Sequence, residues 1–488
     1  MSNRSVEPGE LLALQLAHDI SYRKDLVFAG DGKVSWIRNE PYVHGKTHDL
    51  PTSFDTDASA LGRLTTVLHY GGGLLRYEPN HGFRAHRGYP SPRGVYPTEL
   101  YVVTSGIEGL DHGSYHYQAT QHRLVNLRTA SAWAAVQKAL GCQLAADSIV
   151  VIVASNFGRL SIRYGDFAYA LCTLEAGHAL GNLGRIAAEV GYRVSLHYGF
   201  DDDLIADTIN AGGGESVSPL AIAILHTKGG LKRERLKFSR SGEYGYYASG
   251  VPNGRRIAAV ERECARIGAS RSCSVHVPSL SAIEPLAGLS RSLRNTLRTR
   301  NSGTGGPLGE LIPNPVPLAS DILQRGLSAQ WHPVAHDLDE VPEMRRYVVA
   351  IRFLGIEPGI YEVYDGDKLR LKVRGDVRDH LRAAYTYPAD QANLHALAGA
   401  IFYVIDYPAA IKRWGARGLR IANLCCGLAA QQVCLEVAGT GNVGRAVRAF
   451  DDNALESLLG IQSLKDTAAY GVLLGSNRHK ALGFNLAL

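Results

Sequence analysis

Apolar residues along this chain recur either in alternation with polar ones or at spacings of three and four, and the two patterns follow each other in a fixed order. After an irregular stretch to about Pro51, LGRLTTVLHYGG (61–72) reads as a helix closed by its glycines. ELYVVTSG, GSYHYQATQHRLVNL and DSIVVIVASN follow as strand-like runs with a hairpin between. From Ser161 a long helix is predicted. Phe167, Leu171, Leu174 and His178 form its apolar stripe, Asp166 stands at its start and Gly191 follows its end. SPLAIAILHT then completes a first half, and a connector with charge runs and a helix at GRRIAAVERECARIG comes next. RRYVVAIRFLG, GIYEVYDGDKLRLKVRG and ALAGAIFYVID repeat the strands, followed by a second long helix and the strand TAAYGVLLG. The pattern predicts an α+β sheet-and-helix architecture used twice.

The halves are also alike residue by residue. The segment that begins at Ser161 aligns without a gap on the one that begins at Ile411, an offset of 250 residues. Arg163 falls on Arg413, Gly165 on Gly415, Leu174 on Leu424, Gly177 on Gly427, Gly191 on Gly441, and Phe200-Asp201-Asp202 on Phe450-Asp451-Asp452. GSYHY at Gly113 resembles GIYEV at Gly359. Two tandem domains, 1–245 and 286–488, joined by a connector at 246–285, would form a pseudo-dimer within one chain. A length of 488 residues accommodates both.

Composition narrows the class. With 45% hydrophobic and 20% charged residues the chain is that of a globular protein. The start, MSNRSVEPGE, lacks the apolar core of a signal peptide, and no apolar run approaches the ~18 residues of a membrane span, so the expectation is a cytoplasmic protein without membrane contact. Seven cysteines, with no CxxC pair, argue against a disulfide framework and a structural zinc. Cys425 and Cys426 read as buried, inert thiols. The net charge of +6 is modest. Its densest source is RSLRNTLRTRNS (291–302), which reads as a solvated helix or as a phosphate or nucleic-acid contact. No aromatic residue is interleaved there, which argues against a single-strand groove, and no nucleic-acid partner is expected.

Some motifs are discounted. GTGNVG at Gly439 satisfies GxGxxG, but the repeat puts it where a helix ends, and Asp451 is too near to serve as the ribose acid of a dinucleotide site. His112, His116 and His122 share strand parity, yet solvated strand histidines explain them better than a metal does, and no metal site is expected. His178, on its apolar stripe, reads as a satisfied core histidine.

The segment of strongest chemical character is RGYPSPRGVYPTELYVV (87–103), a proline- and glycine-rich loop before a strand, stiff enough to lie against a planar ring. Its R-x-x-P-S and Y-P-x-E-L-Y elements, the later G-x-Y-x-Y, the Arg-Tyr-Gly at 163–165 and the E-A-G-H-A helix together resemble the SagB-type azoline dehydrogenases of the FMN-dependent nitroreductase superfamily, in their long two-domain form. AHDISY and WIRNEP resemble the amino-terminal pattern of that group.

The resemblance implies tandem nitroreductase-like domains with FMN held between them. Arg87, Pro90, Ser91, Gly94 and Tyr96 match the loop that backs the flavin ring. Arg300 and Ser302, with Arg298 beside them and Arg478 after the last strand, match the phosphate element, whereas Arg23 and Lys24 in SYRK are a weaker match in the first half. The second half has SAQWHPVAHDLDEVPEM in place of the loop, so one composite FMN site per chain is implied. The implied reaction oxidises thiazoline or oxazoline rings of a modified peptide, with a companion cyclodehydratase as a partner. A Lys-Tyr pair accepts the proton in such proteins. Here it is Arg163-Tyr164, and because arginine cannot be deprotonated, Tyr164 is the candidate base, with Arg163 as the cation beside it. Pro92 and Arg93 also stand where small residues are usual. An NAD(P)H-dependent nitro or quinone reductase, or a non-catalytic peptide-binding partner, remains open from the residues alone.

Overall fold

The computed structural model describes residues 6–27, 45–52, 57–128, 131–211, 217–227, 253–268, 289–303, 310–328, 335–338, 340–461, 465–477 and 483–486. Two sheets flank a pair of long helices; the first is antiparallel except at one edge strand, and the described strands of the second are antiparallel throughout. The first sheet runs Thr47–Asp49, Arg123–Arg128, Gly113–Gln118, Thr98–Thr104, Ile149–Asn156, Val217–His226, Arg193–His197, with Ala335–His336 at its far edge. The second runs Lys368–Arg374, Gly359–Tyr364, Met344–Ala350, Gly399–Ile405, Thr467–Asn477, and both Val443–Val447 and Pro313–Asn314 pair with that last strand. The central strands of each sheet are antiparallel and share one order.

The long helices Ala168–Glu189 and Arg417–Gly439 pack against each other at the middle, and their meeting point explains the repeated glycines. A Cβ on Gly177 would strike the Leu424 carbonyl, and one on Gly427 the Leu174 carbonyl. Each helix thus touches the other's backbone where only hydrogen fits. Gly177→Ala or Gly427→Ala is expected to force the helices apart at a cost of ~1–3 kcal/mol. A lower urea midpoint at an unchanged slope checks this.

Each long helix follows a short one, and the first begins two residues beyond the Asp166 expected at its start. Gly165 (φ 54, ψ −138) ends a short helix, Gly158–Tyr164, before the long one begins at Ala168. Gly415 (φ 65, ψ −154) does the same between Tyr407–Trp414 and Arg417. An apolar stripe runs through such a break, so periodicity alone joins the two pieces.

Three further expectations are corrected. The stretch before Pro51 is not wholly irregular: Pro8–Tyr22 is a helix with a Glu7/Glu10 capping box. Its leucines and alanines wrap most of its girth, which blurs the stripe. The connector's helix, Arg255–Gly268, is no mere link, because its Glu261 is buried and accepts from Arg420 Nη2 at 2.8 Å and from Tyr169 at 3.2 Å. Finally, Arg417–Gly439 is long and apolar enough to cross a membrane, with a mean hydropathy of 1.4, but 89% of that window is buried in protein. Its apolarity serves the core.

Other readings agree with the structure. His178 is fully buried and paired to Gln431 at 2.9 Å and Tyr470 at 3.1 Å. Cys425 and Cys426 are buried thiols. GTGNVG joins a helix end to the strand Val443–Val447. One reading is corrected: of the three histidines expected to be solvated, His116 and His122 are buried, bonded to Glu99 at 2.8 Å and Tyr117 at 3.0 Å.

Candidate functional site

A cavity of about 710 Å³ lies between the halves and draws its wall from both, a size within the ~300–1,000 Å³ of small-molecule pockets. From the first half come Pro90, Ser91, Arg93, Gly94, Tyr96, Arg163, Tyr164 and Glu175; from the second, Arg300, Ser302, Tyr385, Tyr387, Arg445 and Tyr470.

The loop from Pro90 to Tyr96 is bent sharply and held from behind. Arg93, Gly94 and Tyr96 all have positive φ (54°, 62° and 52°), a conformation that costs a non-glycine residue roughly 1–2 kcal/mol. The Ser91 hydroxyl accepts from the Tyr96 amide at 2.8 Å and donates to Glu175 at 2.6 Å, while the other Glu175 oxygen accepts from the Thr98 amide at 3.3 Å. Arg159 holds the Tyr96 carbonyl at 2.8 Å. From the other half, Gln431 Nε2 donates to the Gly88 carbonyl at 3.0 Å. Ser91 thus spends its hydroxyl on the loop itself and offers the cavity mainly backbone.

Arg87 stands apart from this wall. Its guanidinium donates to Tyr89 at 2.8 Å and to the Thr98 carbonyl at 3.1 Å, and lies 4.8 Å from the Tyr96 ring centre. It braces the loop from within.

Burial raises the Glu175 carboxyl from 4.5 to about 7, against the hydrogen bonds from Ser91 and Thr98 that favour its charged form. The folded protein therefore holds this proton more tightly than the unfolded chain does. Its contribution to stability is full below about pH 4.5 and declines as pH rises to about 7. Glu175→Gln should remove that part of the decline, seen as a flatter melting temperature between those pH values than the parent shows.

At the opposite end the chain leaves the helix Arg291–Thr299 and brings Arg300 and Ser302 into the wall. Arg300 is 2% exposed, and its guanidinium donates to Ser302 Oγ at 3.3 Å. Burial pulls its guanidinium below the ordinary range. Arg76 donates to the Arg300 carbonyl at 3.1 Å and pairs with Glu78 at 2.6 Å, and Arg445 donates to the Ser302 carbonyl at 2.6 Å. Among the described residues, Arg300 Nε and Arg76 Nη2 are buried with no hydrogen-bond partner. Buried guanidinium donors left unspent suit an anion, and a phosphate dianion fits this donor set. Glu78, His81 and His86 also bring ligand atoms within 4.8 Å of one another there. Burial holds both histidines neutral, helped at His86 by Arg76 and Arg300, and the same positive field opposes a metal cation.

The other candidates fall outside this wall. Arg298 turns to the Tyr70 hydroxyl at 3.1 Å. Arg478 lies outside the described residues. Arg23 is exposed, but Lys24 lines this same cavity, bonded to Asp452 at 2.6 Å. Arg76, Arg93, Glu175 and Arg445 are members that the motifs did not single out. Only Glu175, inside E-A-G-H-A, and Arg93, a noted departure, carried a signal.

The residues that align with one wall of this cavity, 250 positions earlier in the sequence, are covered by the chain itself. Arg445 and Ala446 line the open cavity on a strand that pairs on one side only among the described residues; their counterparts, Ser195 and Leu196, are covered by Ala335 and His336 in parallel register. Asp337 accepts from the Tyr198 and Gly199 amides at 2.9 and 2.8 Å, where Arg448 and Ala449 face the open side. Arg417, at the position of Phe167, inserts there and donates to the Tyr198 and Phe200 carbonyls at 2.9 and 3.2 Å.

Tyr164 and Arg163 end the short helix Gly158–Tyr164. Arg93 Nε donates to the Tyr164 oxygen at 3.1 Å. Arg163 lines the cavity but makes no recorded hydrogen bond or ion pair among the described residues.

No family model matches the chain. A protein of Methanocaldococcus jannaschii named as a nitroreductase is 29% identical over 133 residues, which span 25% of this chain and 66% of that protein, just under two thirds of its length. A solved structure from Anabaena variabilis, also named as a nitroreductase, superposes with a TM-score of 0.71 at 22% identity, covering 96% of this chain and 99% of that one. A chain of the E. coli microcin synthetase McbBCD complex with truncated pro-MccB17 bound matches 42% of this chain and 76% of its own length at 17% identity, with a TM-score of 0.29 that carries no argument. Over nearly its whole length, then, the chain has a nitroreductase-like fold.

Proposed function

We propose that this chain is an FMN-dependent oxidoreductase with one composite flavin site and, more finely, that it oxidises thiazoline or oxazoline rings of a modified peptide to azoles. The observation that carries this reading is the convergence of the Pro90–Tyr96 loop, Tyr164 and the Arg300–Ser302 element on one cavity. The resemblance of those motifs to azoline dehydrogenases supplies the substrate class.

FMN, when bound, supplies a hydride acceptor. Arg300, Arg76, Arg445 and Ser302 would hold its phosphate by charge-assisted hydrogen bonds. Pro90, Gly94 and Tyr96 would form a stiff wall for the ring, held by Ser91 and Glu175 so that little order is lost on binding. Tyr164 would take the proton from the ring carbon of the substrate, and that proton would then pass to water. Tyr385 and Tyr387 offer flat apolar surface to a planar heterocycle or a peptide. An enzyme that cyclises and dehydrates Cys or Ser/Thr residues must supply the azoline, which makes a cyclodehydratase the expected companion.

The test is direct. Oxidised, flavin-loaded protein given an azoline peptide should remove two hydrogens per ring by mass, with oxygen regenerating the flavin and no NAD(P)H required. No mass loss together with rapid bleaching by NADPH would establish the reductase reading instead. A colourless protein that binds the peptide would make it a non-catalytic partner. Released flavin should equal one per chain, because the second position is occupied by residues 335–338 and Arg417; a ratio near two would overturn the composite site.

A further inference from the structure

We propose that Arg93, not Arg163, is the cation that stabilises the charged form of the Tyr164 oxygen as this phenol gives up and takes back a proton. The proposal rests on the reading of Tyr164 as the proton acceptor, and it adds to the site a residue from the ring loop.

Three observations carry it. Arg93 Nε lies 3.1 Å from the Tyr164 oxygen, across 71 residues of sequence. Arginine has only donors, so the bond runs one way: the guanidinium donates, the phenol oxygen accepts, and the phenol's own proton is left for another partner or for release. A donor that is also a cation favours the phenolate over the phenol. Next, Arg93 reaches this position from φ 54° and ψ 21°, a left-handed conformation that a non-glycine residue adopts only when its surroundings impose it. Lastly, Arg163 immediately precedes Tyr164 on one helix, and successive helical residues do not face each other. Of the groups around the phenol, Phe167 is apolar, and Tyr387 of the second half, which feels Tyr164, Arg93 and Arg163 electrostatically, is itself raised chiefly by burial. The loop arginine that breaks the usual small-residue pattern and the lost Lys of the Lys-Tyr pair are, on this view, one exchange: the cation has moved from the helix to the loop.

The experiment follows the Tyr164 phenol itself in the flavin-loaded protein, by NMR of isotope-labelled tyrosine, with the signal assigned by its loss in Tyr164→Phe. Arg93→Gly suits the positive φ and keeps the loop's shape, so it separates charge from folding. In Arg93→Gly and Arg93→Ala the Tyr164 signal should move, as the phenol oxygen loses its donor, and turnover at full flavin occupancy should fall about tenfold or more, the equivalent of one charge-assisted hydrogen bond. Arg93→Lys should recover part of both, and Arg163→Ala should leave the signal in place. A moved signal in Arg163→Ala with none in Arg93→Gly would overturn the proposal. If Tyr164→Phe turns over like the parent, the proton-acceptor reading fails, while the phenol signal still decides which arginine holds the oxygen.

Discussion

Tyr164→Phe should lower turnover by about 10²–10⁴-fold, the range of a lost general base, with flavin still fully bound. The substitution removes one oxygen and keeps the ring against Phe167, at 6.4 Å between centres. The Arg300 end of the cavity keeps its own side chains, so flavin content serves as the internal control. The Arg93 guanidinium loses an acceptor but is exposed to solvent, and the fold should not suffer. An unchanged rate at full flavin occupancy would assign the proton to another group.

Arg300→Ala should weaken flavin binding by about 10- to 150-fold, the equivalent of one charge-assisted hydrogen bond worth ~1.5–3 kcal/mol. Because Arg300 is a buried cation with an unpartnered Nε, its removal should leave the flavin-free protein about as stable as before. That combination distinguishes a ligand-holding arginine from a structural one such as Arg420, whose loss would take the cation from the buried Glu261 and leave Asp202 with Arg417. Arg23→Ala, on an exposed side chain, should leave flavin affinity unchanged. Equilibrium titration of flavin fluorescence together with a thermal melt of the flavin-free protein checks both halves of the expectation.

Much of the fold was legible because it rests on patterns that water enforces. Alternation in ELYVVTSG and TAAYGVLLG gives strands, and the gapless repeat carries Gly177 onto Gly427, the two positions where the long helices touch. The loop at 90–96 and Arg300–Ser302 were legible as motifs. What stayed hidden depends on side chains meeting across long separations. Arg76 and Arg445 belong to no motif and join the Arg300 end of the cavity only through folding. The break at Gly165 is invisible to periodicity, since one residue at φ 54° interrupts the helix without altering the stripe. Adjacency in sequence suggested Arg163 as the companion of Tyr164; both line the cavity, and the hydrogen bond from Arg93 to the Tyr164 oxygen spans 71 residues that no local pattern connects.

The closed strand edge at Ser195–Leu196 and the open one at Arg445–Ala446 have a genetic consequence. When two identical subunits share paired sites, every substitution lands in both, so a change that fills one also destroys the other. Here the two edges are encoded separately. Residues 335–338 could become a permanent patch on one side, and Arg417 a plug, without touching the side that keeps its cavity. On the proposed function, variation around the closed edge would answer to stability alone, while variation at Arg93, Arg300 or Arg445 would answer to chemistry.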